Sequence, residues 1–203
     1  MTALVRSLVV ALFLLVPAPA PRSRCDYIDP DRLPYLQVGD RAPAFTCVDD
    51  RGREWNSAQH YGKRVIVVCF YLGDFFKNCT EELRVMRDHY VALAARDVEI
   101  VAVSGDSVAT HQLFKKTYRL NFALLADEKG AVGRAFGVAM SGGGEHRIKH
   151  PETGEEITLR RGATAARWTF VIGTDGKILH KETNVKIAEQ PREILNLLSR
   201  QKK

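Results

Sequence analysis

Cys79 is the residue of this chain whose surroundings could make it react. It follows a continuous apolar run rich in β-branched residues, Val65 to Tyr71, and a break at Gly73-Asp74. The run is short, which favours a strand buried on both faces over a helix. From Thr80 the period becomes helical, with Leu83, Met86, Tyr90 and Leu93 on one side. Cys79 is therefore expected at the start of a helix, just beyond a central strand. Free backbone N–H groups of a first helical turn, and the positive end of its dipole, stabilise thiolate over thiol. A free cysteine titrates at roughly 8.5, and such a site can lower this by one to several units. The plainer account is a cysteine used as a small core residue. That account suits Cys69, inside the apolar run, and Cys47, in Phe45-Thr46-Cys47-Val48; Cys25 lies in a leader.

The six histidines, His60, His89, His111, His146, His150 and His180, are scattered, with no ligand spacing to cysteines or acids, so no metal and no cofactor is expected. His146 and His150 are four apart in a polar region and read as surface residues. There is no P-loop, and Gly142-Gly143-Gly144 reads as a flexible turn.

The elements that would position Cys79 follow from pattern. Ala44 to Val48 is a short strand, and Trp55 to Tyr61 a second short strand with a turn of helix. Val98 to Ser104 is a buried strand. Gly105-Asp106-Ser107 caps a helix to about Arg119, with Leu113, Phe114 and Tyr118 on its apolar side. Phe122 to Leu125 is extended, and Lys129 to Phe136 is a short helix stopped by Gly137. Residues 141–165 are a polar excursion with one hairpin, Ile148 to Leu159. Arg167 to Ile172 and Lys177 to Lys181 flank the turn Gly173-Thr174-Asp175-Gly176, a hairpin with good turn chemistry. Glu189 to Arg200 closes as an amphipathic helix carrying Ile194, Leu197 and Leu198. This order argues an α/β fold of three layers, with a central mixed sheet flanked by helices.

The 203 residues, 45% hydrophobic and 27% charged, suit one globular domain at 36–203. A net charge of +6 without basic blocks interleaved with aromatics does not indicate nucleic-acid binding. Residues 1–20 carry one charge, Arg6, ahead of the apolar run Ser7 to Val16 and then Pro17-Ala18-Pro19-Ala20. This is the build of a secretory signal, too short for an ordinary membrane-spanning helix. Pro21 is a poor residue beside a cleavage site, so an uncleaved membrane anchor is the alternative. Residues 21–35 read as a linker or arm. The expected location is thus exported, periplasmic or extracellular, or anchored, and membrane contact is expected only if the segment stays uncleaved.

From about residue 36 to 200 the chain resembles the peroxiredoxin family on the thioredoxin fold, of the alkyl hydroperoxide reductase and thiol-specific antioxidant type, closest to its bacterioferritin-comigratory branch. The matching pieces are Gly39-Asp40-Arg41-Ala42-Pro43-Ala44-Phe45, Val103 to Ser107 with His111, Phe114 and Asn121 to Asp127, Phe136-Gly137-Val138, and Thr169 to Ile172 with Gly176-Lys177-Ile178. The resemblance implies a thiol-dependent peroxidase acting on hydrogen peroxide or organic hydroperoxides through a cysteine sulfenic acid. It makes Cys79 the nucleophile, followed by Thr80 and Glu82 as in the family, and Arg167 its electrostatic partner. The family loop reads Pro-x-x-x-Thr-x-x-Cys; here Leu72 stands for the proline and Phe76 for the threonine. A phenyl ring can neither position a thiolate nor accept from a peroxide, so a slow or altered enzyme is implied. The branch often carries a second cysteine one helical turn on, where this chain has Arg84. A one-cysteine mechanism with an external thiol or thioredoxin-like reductant follows, in a monomer or homodimer. Two other classes fit parts of the pattern. One is an exported thiol–disulfide oxidoreductase, for which Phe76 sits where the second cysteine should be. The other is a redox-inactive binding or scaffold protein.

Overall fold

The structure is a computed structural model and describes residues 36–201. The leader, the arm and Cys25 lie outside the described residues. Among the described residues no helix is long and apolar enough to cross a membrane.

The apolar run becomes β3 (Val65–Phe70), the centre of a seven-stranded mixed sheet. Its neighbours are β4 (Val98–Ser104), parallel to it, and β8 (Trp168–Ile172), antiparallel. Beyond β4 lie β5 (Ala123–Ala126), β1 (Thr46–Asp49) and β2 (Glu54–Asn56), and beyond β8 lies β9 (Ile178–Glu182), giving the order β2-β1-β5-β4-β3-β8-β9. Strands buried on both faces explain why β3 and β4 read as continuous apolar runs rather than alternations.

The side chains of β3 divide between two cores. Ile66, Val68 and Phe70 join Phe45, Cys47, Trp55 and Phe136 on one face. Val67, Cys69 and Tyr71 join Cys79, Leu83, Met86 and Phe114 on the other. The second face is covered by α1 (Lys77–Asp88), α2 (Tyr90–Ala94), α3 (Val108–Tyr118) and α5 (Gln190–Gln201), and the first by the N-terminal segment and α4 (Ala131–Ala135). This is the expected three-layer thioredoxin-like arrangement. The apolar side drawn from Leu83 to Leu93 is split between two helices, because α1 ends at Asp88 and the chain turns at His89 (φ −96°, ψ 1°) before α2.

The excursion is larger than its sequence suggests. β6 (Met140–Lys149) and β7 (Glu156–Ala165) form a ribbon of two ten-residue strands, with Ile148 opposite Ile157 and His146 opposite Leu159. Gly142-Gly143-Gly144 is not a flexible turn. It lies inside β6, where a Cβ on Gly143 would fall 2.2 Å from the Arg161 carbonyl oxygen, a separation only glycine permits. The ribbon docks on the loop after β4: the Gly162 N–H donates to the Gly105 carbonyl at 2.9 Å.

Candidate active site

Six residues connect the end of β3 to α1: Tyr71, Leu72, Gly73, Asp74, Phe75 and Phe76. Tyr71 continues the strand's pairing, its N–H donating to the Val103 carbonyl at 3.1 Å. Phe75 then takes a left-handed backbone (φ 63°), costly for a side-chain-bearing residue. Its ring packs against Phe114 and Tyr118 of α3, at centroid distances of 5.0 and 5.9 Å. Packing of that partly buried ring against the two aromatic rings offsets the strain.

Cys79 is the third residue of α1, as the change of period predicts. The backbone N–H groups of Leu72 and Gly73 lie near enough to its sulfur to favour the thiolate. One expectation is overturned. Cys79 does not stand open at a helix mouth with a lowered pKa; it is 1% exposed, within the apolar cluster of Val67, Cys69, Leu83 and Met86. Burial pushes its thiol up, Glu82 adds to this, and the two N–H groups and the Arg167 guanidinium pull against it without prevailing. Dehydration of a thiolate outweighs the helix terminus when the surrounding side chains close over the sulfur. Cys69 and Cys47 behave as core thiols: burial raises Cys69 further still and Cys47 to about 12.

Arg167 enters from the residue before β8. Its Nη1 donates to Glu82 Oε2 at 3.4 Å and its Nη2 to the Val185 carbonyl at 3.4 Å. Glu82 is fully buried, and burial raises its carboxyl to about 7 against the pull of Arg167 and the nearby Gln190 amide. Arg167 lines a cavity of about 470 Å³ with Leu72, Met140, Ala165, Ala166 and Val185 among its walls. Leu72 thus touches both compartments, lining the cavity while its N–H faces the sulfur. The structure therefore brings together Cys79, Leu72, Glu82 and Arg167.

Thr80 and Phe76 belong elsewhere. Thr80 lines a separate cleft of about 500 Å³ with Phe75, Arg84 and Tyr118. Phe76 precedes α1 without capping it through its side chain. Its ring turns to the β6–β7 ribbon instead, against His146 (4.7 Å between centroids) and under the Arg161 guanidinium.

A group absent from the sequence reading lies on the other side of the loop. Asp74 is fully buried; it accepts from the Tyr71 hydroxyl at 2.7 Å and from His111 Nδ1 at 2.8 Å. The Asp74 N–H donates to Asp106 Oδ2 at 2.8 Å, and the Ser104 hydroxyl reaches the same oxygen at 2.8 Å. Asp106 is raised to about 6 by burial and by the neighbouring Asp74. Burial pulls His111 down, but Asp74, Asp106 and the Leu125 carbonyl outweigh it and hold it above its ordinary value. Asp74 and His111 are 37 positions apart, so no local spacing announces the pair.

His180, Glu182 and Glu193 bring one potential ligand atom each to within 4.8 Å of one another where β9 meets α5, a grouping that linear spacing does not show. All three are partly exposed, and such surface groups are common without a metal.

Residues 38–181 match the AhpC/TSA family. A putative peroxiredoxin bcp of Coxiella burnetii is 32% identical over 163 residues, 80% of this chain and 99% of that protein. A putative chloroplastic peroxiredoxin Q of indica rice is 39% identical over 103 residues, 51% of this chain; the match spans about half (47%) of the rice protein. Among solved structures, peroxidoxin BcpB from Mycobacterium tuberculosis superposes with a TM-score of 0.66 at 24% identity, over 81% of this chain and 97% of that one. A PrxQ mutant from Xylella fastidiosa superposes with a TM-score of 0.67 at 19% identity, over 83% and 98%. The two structures carry the fold, and the matched span and the Coxiella relative carry the lineage: the chain belongs to the AhpC/TSA family, among the peroxiredoxins of the bacterioferritin-comigratory branch.

Proposed function

We propose that the protein is a thiol-dependent peroxidase with Cys79 as nucleophile and Arg167 as its electrostatic partner. One arrangement carries this: the Leu72 and Gly73 N–H groups and the Arg167 guanidinium all favour the charged form of the Cys79 thiol, and Leu72 and Arg167 line one cavity. Leu72 lines the cavity and its N–H lies near the Cys79 sulfur, so on this reading a peroxide in the cavity meets the sulfur when Leu72 moves aside. The thiolate attacks one oxygen in line, the S–O bond forms and the O–O bond breaks. The sulfur is oxidised to sulfenic acid, and the departing oxygen takes a proton to leave as water or an alcohol. The Arg167 guanidinium stabilises the charge that grows on that oxygen.

Reduction then falls to an external thiol or thioredoxin-like protein. It attacks the sulfenic sulfur, releasing water and leaving a mixed disulfide that a second thiol opens. The fold supports a one-cysteine route. Cys47 packs in the core on the opposite face of the sheet from Cys79. Cys69 is fully buried, and position 84 is an exposed arginine. Residues 1–20 fit a protein that is exported or anchored by an uncleaved leader, acting as a monomer or homodimer.

The scaffold reading has an observation of its own, the nearly complete burial of Cys79 with a raised thiol. Stopped-flow oxidation of purified protein by hydrogen peroxide and an alkyl hydroperoxide, beside Cys79→Ser, separates the two. A peroxidase reacts far faster than a free thiol such as glutathione and loses this in Cys79→Ser. A wild type no faster than glutathione establishes the scaffold.

A further inference from the structure

The N–H groups of Leu72 and Gly73 can serve Cys79 only if the loop carrying them is fixed, and its own backbone is poorly suited to that. No helix or strand includes residues 71–76, and Phe75 is held in a left-handed conformation. What holds the loop is the buried polar group beneath it. Asp74 directly follows Gly73, and both its carboxylate oxygens and its N–H are engaged: Oδ1 with Tyr71, Oδ2 with His111, and the backbone N–H with Asp106.

The anchor points are rigid. His111 and Phe114 sit one turn apart on α3 and are fully buried; His111 takes the Asp74 carboxylate, and Phe114 takes the Phe75 ring. Asp106 stands just beyond β4, its Oδ2 fixed by Ser104. Gly73 is squeezed from the same side: a Cβ there would lie 3.0 Å from Asp106 Oδ2 and 3.2 Å from the Phe76 ring. Buried charges that must be paired to exist at all are directional clamps, because moving either partner leaves an uncompensated charge in the interior.

We infer that Asp74 and His111, with Asp106, are positioning residues for the peroxide reaction, holding the Leu72–Gly73 N–H pair on the Cys79 sulfur from the far side of the loop. None of the three lines the cavity that Arg167 enters. They act through the loop, and the inference rests on the peroxidase reading for its catalytic meaning.

The test compares two reactions of Cys79 in the full chain with Asp74→Asn and His111→Gln: the second-order rate with hydrogen peroxide, and alkylation by iodoacetamide followed across pH. Alkylation needs only an exposed thiolate. Peroxide reduction needs the sulfur held against its donors. Releasing the loop relieves the burial that dominates Cys79, so alkylation is expected to quicken and its pH midpoint to fall, while the peroxide rate drops tenfold or more. Val132→Ala, a core truncation in α4 on the opposite face of the sheet, controls for lost stability and is expected to move neither reaction beyond threefold. Peroxide rates within threefold of wild type in both variants overturn the inference, as does an alkylation profile that stays at its wild-type midpoint.

Should neither buried-pair variant fold, Tyr71→Phe decides. It strips one hydrogen bond from Asp74 and leaves every charge in place. A peroxide rate lowered threefold or more with undiminished alkylation supports the clamp, and an unchanged peroxide rate overturns it. The alkylation arm reports on Cys79 even if the wild type proves no peroxidase, so failure of that reading and failure of the clamp give different results.

Discussion

The guanidinium carbon of Arg161 lies 4.9 Å from the centre of the Phe76 ring. With His146 on the ring as well, the residue that departs most from the family loop is the contact point for the β6–β7 ribbon. Arg161 and His146 face the same ring from β7 and β6, and Arg161 pulls His146 below its ordinary pKa after burial has already done so. Phe76 and the ribbon are one packing unit. Where the resemblance expects a threonine, this chain carries the ring that makes the ribbon contact.

Phe76→Thr should therefore cost stability and improve chemistry. Losing the ring's contacts with Arg161 and His146 is expected to remove about 1–3 kcal/mol, read by urea denaturation. A threonine hydroxyl at this position, where the resemblance expects one, should raise the peroxide rate about 10²-fold, by analogy with the loss of one positioned donor elsewhere. A variant that loses stability without any gain in rate would show that the site is impaired by more than this residue.

Arg167→Met should lower the peroxide rate about 10²- to 10³-fold in stopped flow. Arg167→Lys should recover only part of this. An ammonium lacks the planar fork with which Arg167 reaches Glu82 and the Val185 carbonyl at once. Equal rates in all three proteins would remove Arg167 from the mechanism.

Glu82 gives a pH signature. Its folded carboxyl is raised to about 7 by burial, so the folded state holds this proton more tightly than the unfolded chain does. The sign follows: folding loses stability as pH climbs from the ordinary carboxylate range to about 7, and the loss is complete above it. The size is roughly 3 kcal/mol for a shift of this order. Denaturation free energies at pH 5 and pH 8 should differ by about that much less in Glu82→Gln than in wild type. An identical pH dependence in the two proteins would mean that Glu82 ionises as it does in water.

Gly105→Ala should detach the ribbon. A Cβ at this position would lie 2.1 Å from the Ala163 carbonyl oxygen, backbone that cannot step aside without moving β7. A loss of about 2 kcal/mol or more is expected, within the range for overpacking. Proteolysis within residues 141–165 should accelerate before the rest of the chain is cut. Uniform cleavage across the chain would mean that the ribbon is not held by this contact.

Much of the frame is written locally. β3 and β4 show as apolar β-branched runs because both their faces are buried, and the β8–β9 hairpin shows in its turn residues. The position of Cys79 at the start of α1 follows from a change of period, and Arg167 and Glu82 follow from the family pattern around it. The break at His89 was hidden because Tyr90 and Leu93 keep the spacing of the helix before them. The glycine run of β6 looked like slack because nothing local tells a glycine needed for freedom from one needed for closeness.

Sequence alone thus settled which residue types stand at the end of the central strand, since periodicity and turn chemistry act between near neighbours. The tertiary structure decided the environment of the thiol: its near-total burial, the cavity beside Arg167, and the clamp between Asp74 and His111. Those depend on how closely distant segments pack and how much water they exclude. Dehydration and through-space charge set a pKa and fix a loop, and neither leaves a trace in the spacing of residues along the chain.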